Sequence, residues 1–218
     1  MEKLINRNLS VVYSSVFMGL PILNCRNGLY KEYLESNLEI MEYICQRYSK
    51  VFSVRIDLRL PSGYNPKDTK VISRFIESLK SQIKADYLSK FRLSEGLVHQ
   101  SELFNVWVKE VGENNNTHYH VCLFFNGNAY RSLGVFEFGR NNMYNRIYKA
   151  WASALKLNVY AVQGLVHVPD NAEYLLIRNQ KGFDFIFQNL FRRLSYFAKT
   201  DSKEFGGRSR HYGSSRCN

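Results

Sequence analysis

Residues 103–126 read LFNVWVKEVGENNNTHYHVCLFFN, and their pattern decides the fold. Residues 103–111 and 117–126 are rich in β-branched and aromatic side chains. The five residues Gly112–Asn116 between them are turn-formers, so the stretch predicts a β-hairpin. A register that leaves this turn intact pairs Glu110 with His118. Period two then puts His118 and His120 on one face of the second strand, with Glu110 beside them. Two imidazoles and a carboxylate are a donor set for a divalent cation that keeps positions open for substrate and water. Asp57, on the polar face of an earlier strand, is the rival third ligand. Without a carboxylate, an HxH pair is equally explained by exposed or hydrogen-bonded strand histidines. The other histidines, His99, His167 and His211, have no partner at ligand spacing and read as structural or nucleic-acid-contacting residues.

Working outward, Val51–Arg59 alternates, with Val54, Ile56 and Leu58 on one face and Ser53, Arg55, Asp57 and Arg59 on the other. This is a half-buried strand, ended by Pro61, Ser62, Gly63 and Pro66. Helical spacing recurs over 29–48 (Leu34, Leu38, Met41, Cys45, Tyr48), 69–90 (Ile72, Ile76, Leu79, Ile83, Tyr87), 140–155 (Met143, Ile147, Trp151, Ala154) and 183–199 (Phe183, Phe187, Leu190, Leu194, Phe197). Leu165–Val168 is a short strand. The core order is strand, helix, strand, strand, helix, strand, which is the split βαβ, ferredoxin/RRM-like order of an α+β domain. Such a sheet carries its helices on one face and leaves the other open, here for the metal site. Residues 1–50 read as an N-terminal helical extension, 51–205 as the main domain, and 206–218 as a basic Gly/Ser-rich tail.

Composition narrows the function. The 218 residues include 15 Phe and 15 Tyr, too many for a disordered chain. The four cysteines form no CxxC pair, which excludes a classical zinc finger and fits a reducing compartment. Thirty Lys+Arg against 19 Asp+Glu give a net charge of +11, a balance that attracts nucleic acid first and an anionic membrane second. Residues 1–50 are close to neutral, whereas residues 176–218 carry nine basic side chains against three acidic ones. Lys3 and Arg7 precede the mostly apolar Leu9–Leu23, which resembles a signal peptide. The stretch is too short to span a bilayer, is interrupted by Ser10, Ser14 and Ser15, and lacks a small-x-small cleavage site. It is expected to be buried structure in a cytoplasmic protein with no membrane partner.

His118-Tyr119-His120, followed by Val-Cys-Leu-Phe-Phe-Asn, resembles the HUH motif of replication initiators and relaxases. The closer resemblance is to inovirus-type replication initiation proteins with a YagK/YfjJ-like C-terminal domain. It covers roughly residues 50–216 and rests on order and spacing. Its points are Val54–Arg59, Val106–Glu110, His118–His120, Tyr196-Phe197-Ala198-Lys199 and Arg210–Arg216. In one departure the residue between the histidines is Tyr, not the usual aliphatic. The resemblance implies a nicking endonuclease that cuts single-stranded DNA with a tyrosine and leaves a 5′-phosphotyrosine. It also implies a divalent metal, Mg2+ or Mn2+, a single-stranded or hairpin origin in a bacterial host cell, and rolling-circle replication of a phage or mobile element. No GxxxxGK[ST] run is present, so any helicase is a host partner.

Tyr-x-x-Lys occurs at Tyr64, Tyr87 and Tyr196. Tyr64 is in a Pro-rich turn and Tyr87 on an apolar helix stripe. Tyr196 lies roughly 140° from the apolar stripe of its helix, on the side of Arg192 and Lys199. It is the expected nucleophile, with Lys199 stabilising the phenolate or the phosphotyrosine. Tyr144 and Tyr148, spaced as in two-tyrosine relatives, rank second. Arg55, Arg59 and Arg192 are expected to contact DNA, and Arg208, Arg210 and Arg216 to track its backbone from a flexible tail. The rival reading is a DNA-binding regulator of a phage or prophage that keeps the fold and has lost cleavage.

Overall fold

The alternating stretch at Val51–Arg59 lies inside a sheet, with partner strands on both of its edges. A computed structural model describes residues 9–65, 68–111, 117–201 and 210–217. Four short strands come first: β1 (Val11–Val12), β2 (Val16–Phe17), β3 (Leu20–Pro21) and β4 (Leu29–Tyr30). Then follow α1 (Lys31–Arg47), β5 (Lys50–Arg59), α2 (Val71–Leu93), β6 (Phe104–Val111), β7 (Thr117–Asn126) and α3 (Met143–Leu155). The chain ends with β8 (Val166–His167), β9 (Glu173–Ile177), α4 (Phe183–Ser195) and β10 (Tyr212–Ser214). The main sheet runs β10-β6-β7-β5-β8, with β9 also on β5, and every pair is antiparallel. The fold is therefore mixed α/β with antiparallel sheets and, among the described residues, four α-helices.

Strand parity assigns the two faces. Phe52, Val54, Ile56 and Leu58 of β5 join Tyr119, Val121, Leu123 and Phe125 of β7 in one core, closed by α2 and α3. Trp151 of α3 is fully buried there, edge-on to Phe75, and its indole Nε1 donates to the Arg59 carbonyl at 3.1 Å. The second face was expected to be open, and it is not. Phe104, Val106 and Val108 of β6 and Cys122 and Phe124 of β7 point to it. They are buried under α1 and α4, whose Leu34, Leu38, Ile40, Met41, Leu190, Phe191 and Leu194 form a second core. The physical reason is that the polar alternation of β5 is not shared by β6 and β7. Their apolar residues on that face need cover, and only the end carrying Glu110, His118 and His120 is left polar.

The N-terminal and C-terminal segments provide much of that cover. Leu9–Leu23, expected to be buried, forms β1 to β3. Phe17 and Ile22 are buried, whereas Tyr13, Val16 and Met18 are exposed. At Gly28 (φ +76°) an added Cβ would come within 2.4 Å of Val11 Cγ1, so the β1–β4 pair requires glycine there. The basic tail, expected to be flexible, returns as edge strand β10. Gly213 faces Trp107, whose indole fills the space a Cβ would need, at 2.6 Å. Tyr212 stacks on Tyr33 of α1 (4.1 Å) and donates to Asn37 Oδ1 at 2.9 Å. No helix among the described residues is long and apolar enough to cross a membrane.

Phe191 tests the second core. Phe191→Ala is expected to cost about 3–5 kcal/mol, the range for emptying a buried aromatic site. A urea midpoint equal to that of the wild type would show that α4 lies outside the cooperative unit.

Candidate metal centre

The β6–β7 pair has the register that puts Glu110 opposite His118, and β5 places Asp57 opposite His120 and Arg59 opposite His118. Glu110, His118 and His120 each offer one ligand atom, all within 4.8 Å of one another. Glu110 Oε2 is 2.9 Å from His120 Nε2 and 3.5 Å from His118 Nε2, and the two imidazoles stand nearly perpendicular, 4.8 Å apart. Metal–ligand bonds of about 2.1 Å at right angles put neighbouring donors about 3 Å apart, close to the two distances from Glu110. Glu110 and His120 are buried, while the His118 side chain keeps 28% exposure, which leaves a solvent-facing side.

Asp57 takes a different place from its expected one. Its Oδ1 lies 2.5 Å from His120 Nδ1, the ring atom that faces away from Glu110. It is therefore not in the three-ligand group; it fixes the ring and the tautomer from behind, as carboxylates behind metal-bound histidines do. Ionised carboxylates accept hydrogen bonds, so Asp57 at Nδ1 and Glu110 at Nε2 favour the charged form of the His120 ring. Burial works against that charge, but the bonds to Asp57 and Glu110 outweigh it and raise the His120 pKa. Burial would raise the Asp57 pKa, yet His120, Arg55 and His167 together hold it below the usual carboxylate range. Arg55 is not an open surface cation. Its side chain keeps only 14% exposure, its Nε and Nη2 reach Asp57 Oδ1 at 3.4 and 3.5 Å, and its Nη2 sits 3.2 Å from His120 Nδ1.

Tyr196 comes to this cluster from α4. The helix ends at Ser195, and Tyr196–Ala198 is a 3-10 turn, so the phase extrapolated from the helix does not hold. Tyr196 is not turned away to solvent. It is half-buried, edge-on to His120 (5.2 Å, 87°), while the fully buried Phe197 lies against the same imidazole (6.1 Å, 27°). Arg55 Cζ and Lys199 Nζ each lie 4.8 Å from the centre of the Tyr196 ring. Burial and the charges of Glu110, Asp57 and Cys25 push the Tyr196 pKa up, with Arg55 opposing. Tyr144 and Tyr148 belong to the α2/α3 face, opposite the cluster, and the Tyr148 hydroxyl donates to the Val166 carbonyl at 3.0 Å.

The expected DNA contacts divide. Arg192 lines a groove of about 650 Å³ that opens beside Tyr196 and also includes Arg55, Arg193, Tyr174 and Phe185. Arg59 is exposed at the end of β5. Arg210 is exposed next to the edge of β6, Arg216 is exposed at the opposite end of β10, and Arg208 lies outside the described residues. His167, set aside in the sequence, sits opposite Asp57 across β5 and β8. No local spacing signals it, because the pairing depends on how a two-residue strand docks.

The protonation states give signed expectations. His120, with its pKa raised above about 6.5, contributes stability that is complete below that value and lost as pH rises through the folded pKa. Asp57 contributes stability present above about 3.9 and lost as pH falls through its depressed pKa. Metal-free protein should therefore lose melting temperature as pH rises above about 6.5, and His120→Asn should flatten that limb. Mn2+ competes with the Nε2 proton, so its stabilising shift should grow over the same rise in pH. A Mn2+ shift that ignores pH, or none, would rule out these ligands.

The family model of the YagK/YfjJ C-terminal domain matches residues 12–215, a span that includes β2 to β4 and α1. The chain is 36% identical over 194 residues to the uncharacterized protein YagK of Escherichia coli (strain K12), covering 85% of this chain and 92% of YagK. It is 35% identical over 173 residues to the uncharacterized protein YfjJ of the same strain, covering 75% of this chain and 83% of YfjJ. No solved structure matches. A match that takes in both cores and all three clustered ligands leaves one conclusion: the chain belongs to the YagK/YfjJ C-terminal domain family.

Proposed function

We propose that this protein is a metal-dependent nicking endonuclease of the HUH type. It would cut single-stranded DNA through a tyrosine and so initiate rolling-circle replication of a phage or mobile element. The observation that carries this reading is Tyr196 packed against His120, one of three grouped ligands, and flanked by Arg55 and Lys199. The sheet supports it: β6, β7, β5 and β8/β9 lie side by side, with α2 after β5 and α3 after β7, the order of a split βαβ unit.

Glu110, His118 and His120 would hold the cation, Mg2+ or Mn2+, which would supply Lewis-acid stabilisation of the charge on the scissile phosphate. Asp57 keeps the His120 ring oriented through Nδ1. The Tyr196 hydroxyl gives up its proton to solvent as its oxygen attacks phosphorus, the bond from phosphorus to the 3′-oxygen breaks, and that oxygen takes up a proton from solvent to leave as a free 3′-hydroxyl, so no net proton is gained or lost. The phosphodiester is exchanged for a phosphotyrosine, so the step is a reversible transesterification and needs no nucleoside triphosphate. Because burial and Glu110 raise the phenol pKa, Arg55 and Lys199 serve to stabilise the phenolate. Arg192 and Arg193 guide the strand along the groove beside Tyr196.

A labelled single-stranded origin oligonucleotide with Mn2+ should give a covalent adduct with the wild-type protein. Tyr196→Phe keeps the ring and removes the oxygen, so melting temperature and DNA affinity should hardly change while cleavage and adduct vanish together. His120→Ala should also stop cleavage, with loss of the Mn2+-induced thermal shift that Tyr196→Phe retains. An adduct still formed by Tyr196→Phe and mapped to Tyr144 or Tyr148 would reassign the nucleophile. Binding without any adduct in the wild type would leave only a DNA-binding regulator.

A further inference from the structure

We infer that the groove between α2 and the C-terminal end of β10 is a second nucleic-acid surface, gripping the phosphate backbone of a base-paired segment. The groove encloses about 540 Å³ and is lined by Lys80, Lys84 and Tyr87 of α2, Gln100 to Phe104, and Ser215 and Arg216. Lys80, Lys84 and Arg216 are exposed, and none forms an ion pair among the described residues. The one carboxylate on the lining, Glu102, is paired with Arg47. Lys80 and Lys84 are one helical turn apart, so their stems leave the same side of α2, about 6 Å apart at Cβ. Arg216 faces them from the other wall, held by the Ser215 contacts to Asn105. Three uncompensated cations on two walls of one groove form a site for a polyanion.

Chemistry selects the duplex. The groove lies towards the Phe104 end of β6 and against α2, which packs on the sheet face opposite the metal cluster, so it is a separate surface. The chemistry of the two grooves differs. The groove beside Tyr196 offers the exposed Phe185 and Tyr174 under Arg193, which suits unpaired bases. The far groove offers lysines, which act as point charges on phosphates, and its Tyr87 is half-buried against Phe91. The inference rests on the nucleic-acid reading above for the identity of the polyanion.

The probes are a fluorescent blunt-ended duplex and a fluorescent oligo-dT, titrated at several salt concentrations. The combined variant Lys80→Gln, Lys84→Gln and Arg216→Gln should lose at least about tenfold in duplex affinity, with a salt dependence shallower by about two to three units of slope. Its oligo-dT affinity should change less than twofold. The control Arg131→Gln, Lys149→Gln and Lys181→Gln removes equal charge from other surfaces and should keep duplex affinity within about twofold. Equal losses in the two triple variants, equal losses on the two probes, or no duplex binding by the wild type would overturn the inference. Adduct formation at Tyr196 is scored separately, so a failure of the nicking reading leaves the duplex result legible.

Discussion

Asp57 faces His120 across the β5–β7 pair, and side chains alternate along a strand, so this one register commits every other residue of both strands. It sends Val54, Ile56 and Leu58 to the same face as Tyr119, Val121 and Leu123, where α2 and α3 wait. It sends Arg55 and Asp57 to the same face as His118 and His120. A slip of one residue would drive both imidazoles into the larger core and expose its aliphatic residues. The site is thus protected by the hydrophobic effect without containing much apolar surface. The free energy that holds the register is gained on the opposite face of the same strands.

On the site's own face, cover and chemistry share a strand. Phe104, Val106 and Val108 of β6 lie under α1 and α4, and Glu110, two residues on, belongs to the group that could hold a metal. Burying Glu110, Asp57 and His120 is costly unless each charge finds a partner. Here the partners form a chain, with Glu110 on His120 Nε2, Asp57 on His120 Nδ1, and Arg55 on Asp57. His120 is the shared partner of both carboxylates, so its removal would disturb the whole constellation. Phe197, fully buried, closes the imidazole from the α4 side and fixes where the neighbouring Tyr196 can go.

The long elements were legible because each has a strong period of its own: α1 to α4, β5 and the β6–β7 hairpin all lie within a few residues of where the apolar spacing puts them. The grouping of Glu110 with His118 and His120 was legible for the same reason, since a short turn sets a hairpin register. What the sequence hid depends on docking. The apolar side of β6 calls for a second layer, but nothing local says that α1 and α4 supply it. β9 has only five residues, and β10 has three, one of them Gly213, so neither has a period to read. Gly213 looked like flexibility and is instead the place where Trp107 needs room. Tyr196 was picked out by a helical phase that stops one residue before it, and it reaches the cluster through the 3-10 turn instead. Asp57 was legible as a neighbour of the ligands but not as the residue behind His120, because that distinction is between two nitrogens of one ring.

The electrostatics of Tyr196 follow from the same arrangement. Its phenol is held protonated by burial and by the nearby charges of Glu110 and Asp57, against the pull of Arg55. Of these, only the Glu110 carboxylate belongs to the three-ligand group. If Glu110 shared its charge with a bound cation, the field that disfavours the phenolate would weaken, while Asp57 would remain tied to His120 and Arg55. In the proposed reaction the ligand set would therefore do two jobs with one carboxylate. It would complete the phosphate-binding centre and relax the phenol towards reactivity, so that the nucleophile is quiet whenever the centre is incomplete. Tyr196 need not be intrinsically acidic for this. It needs to lie where Glu110 can be felt, and its edge-on packing against His120, the ring that meets Glu110, puts it there.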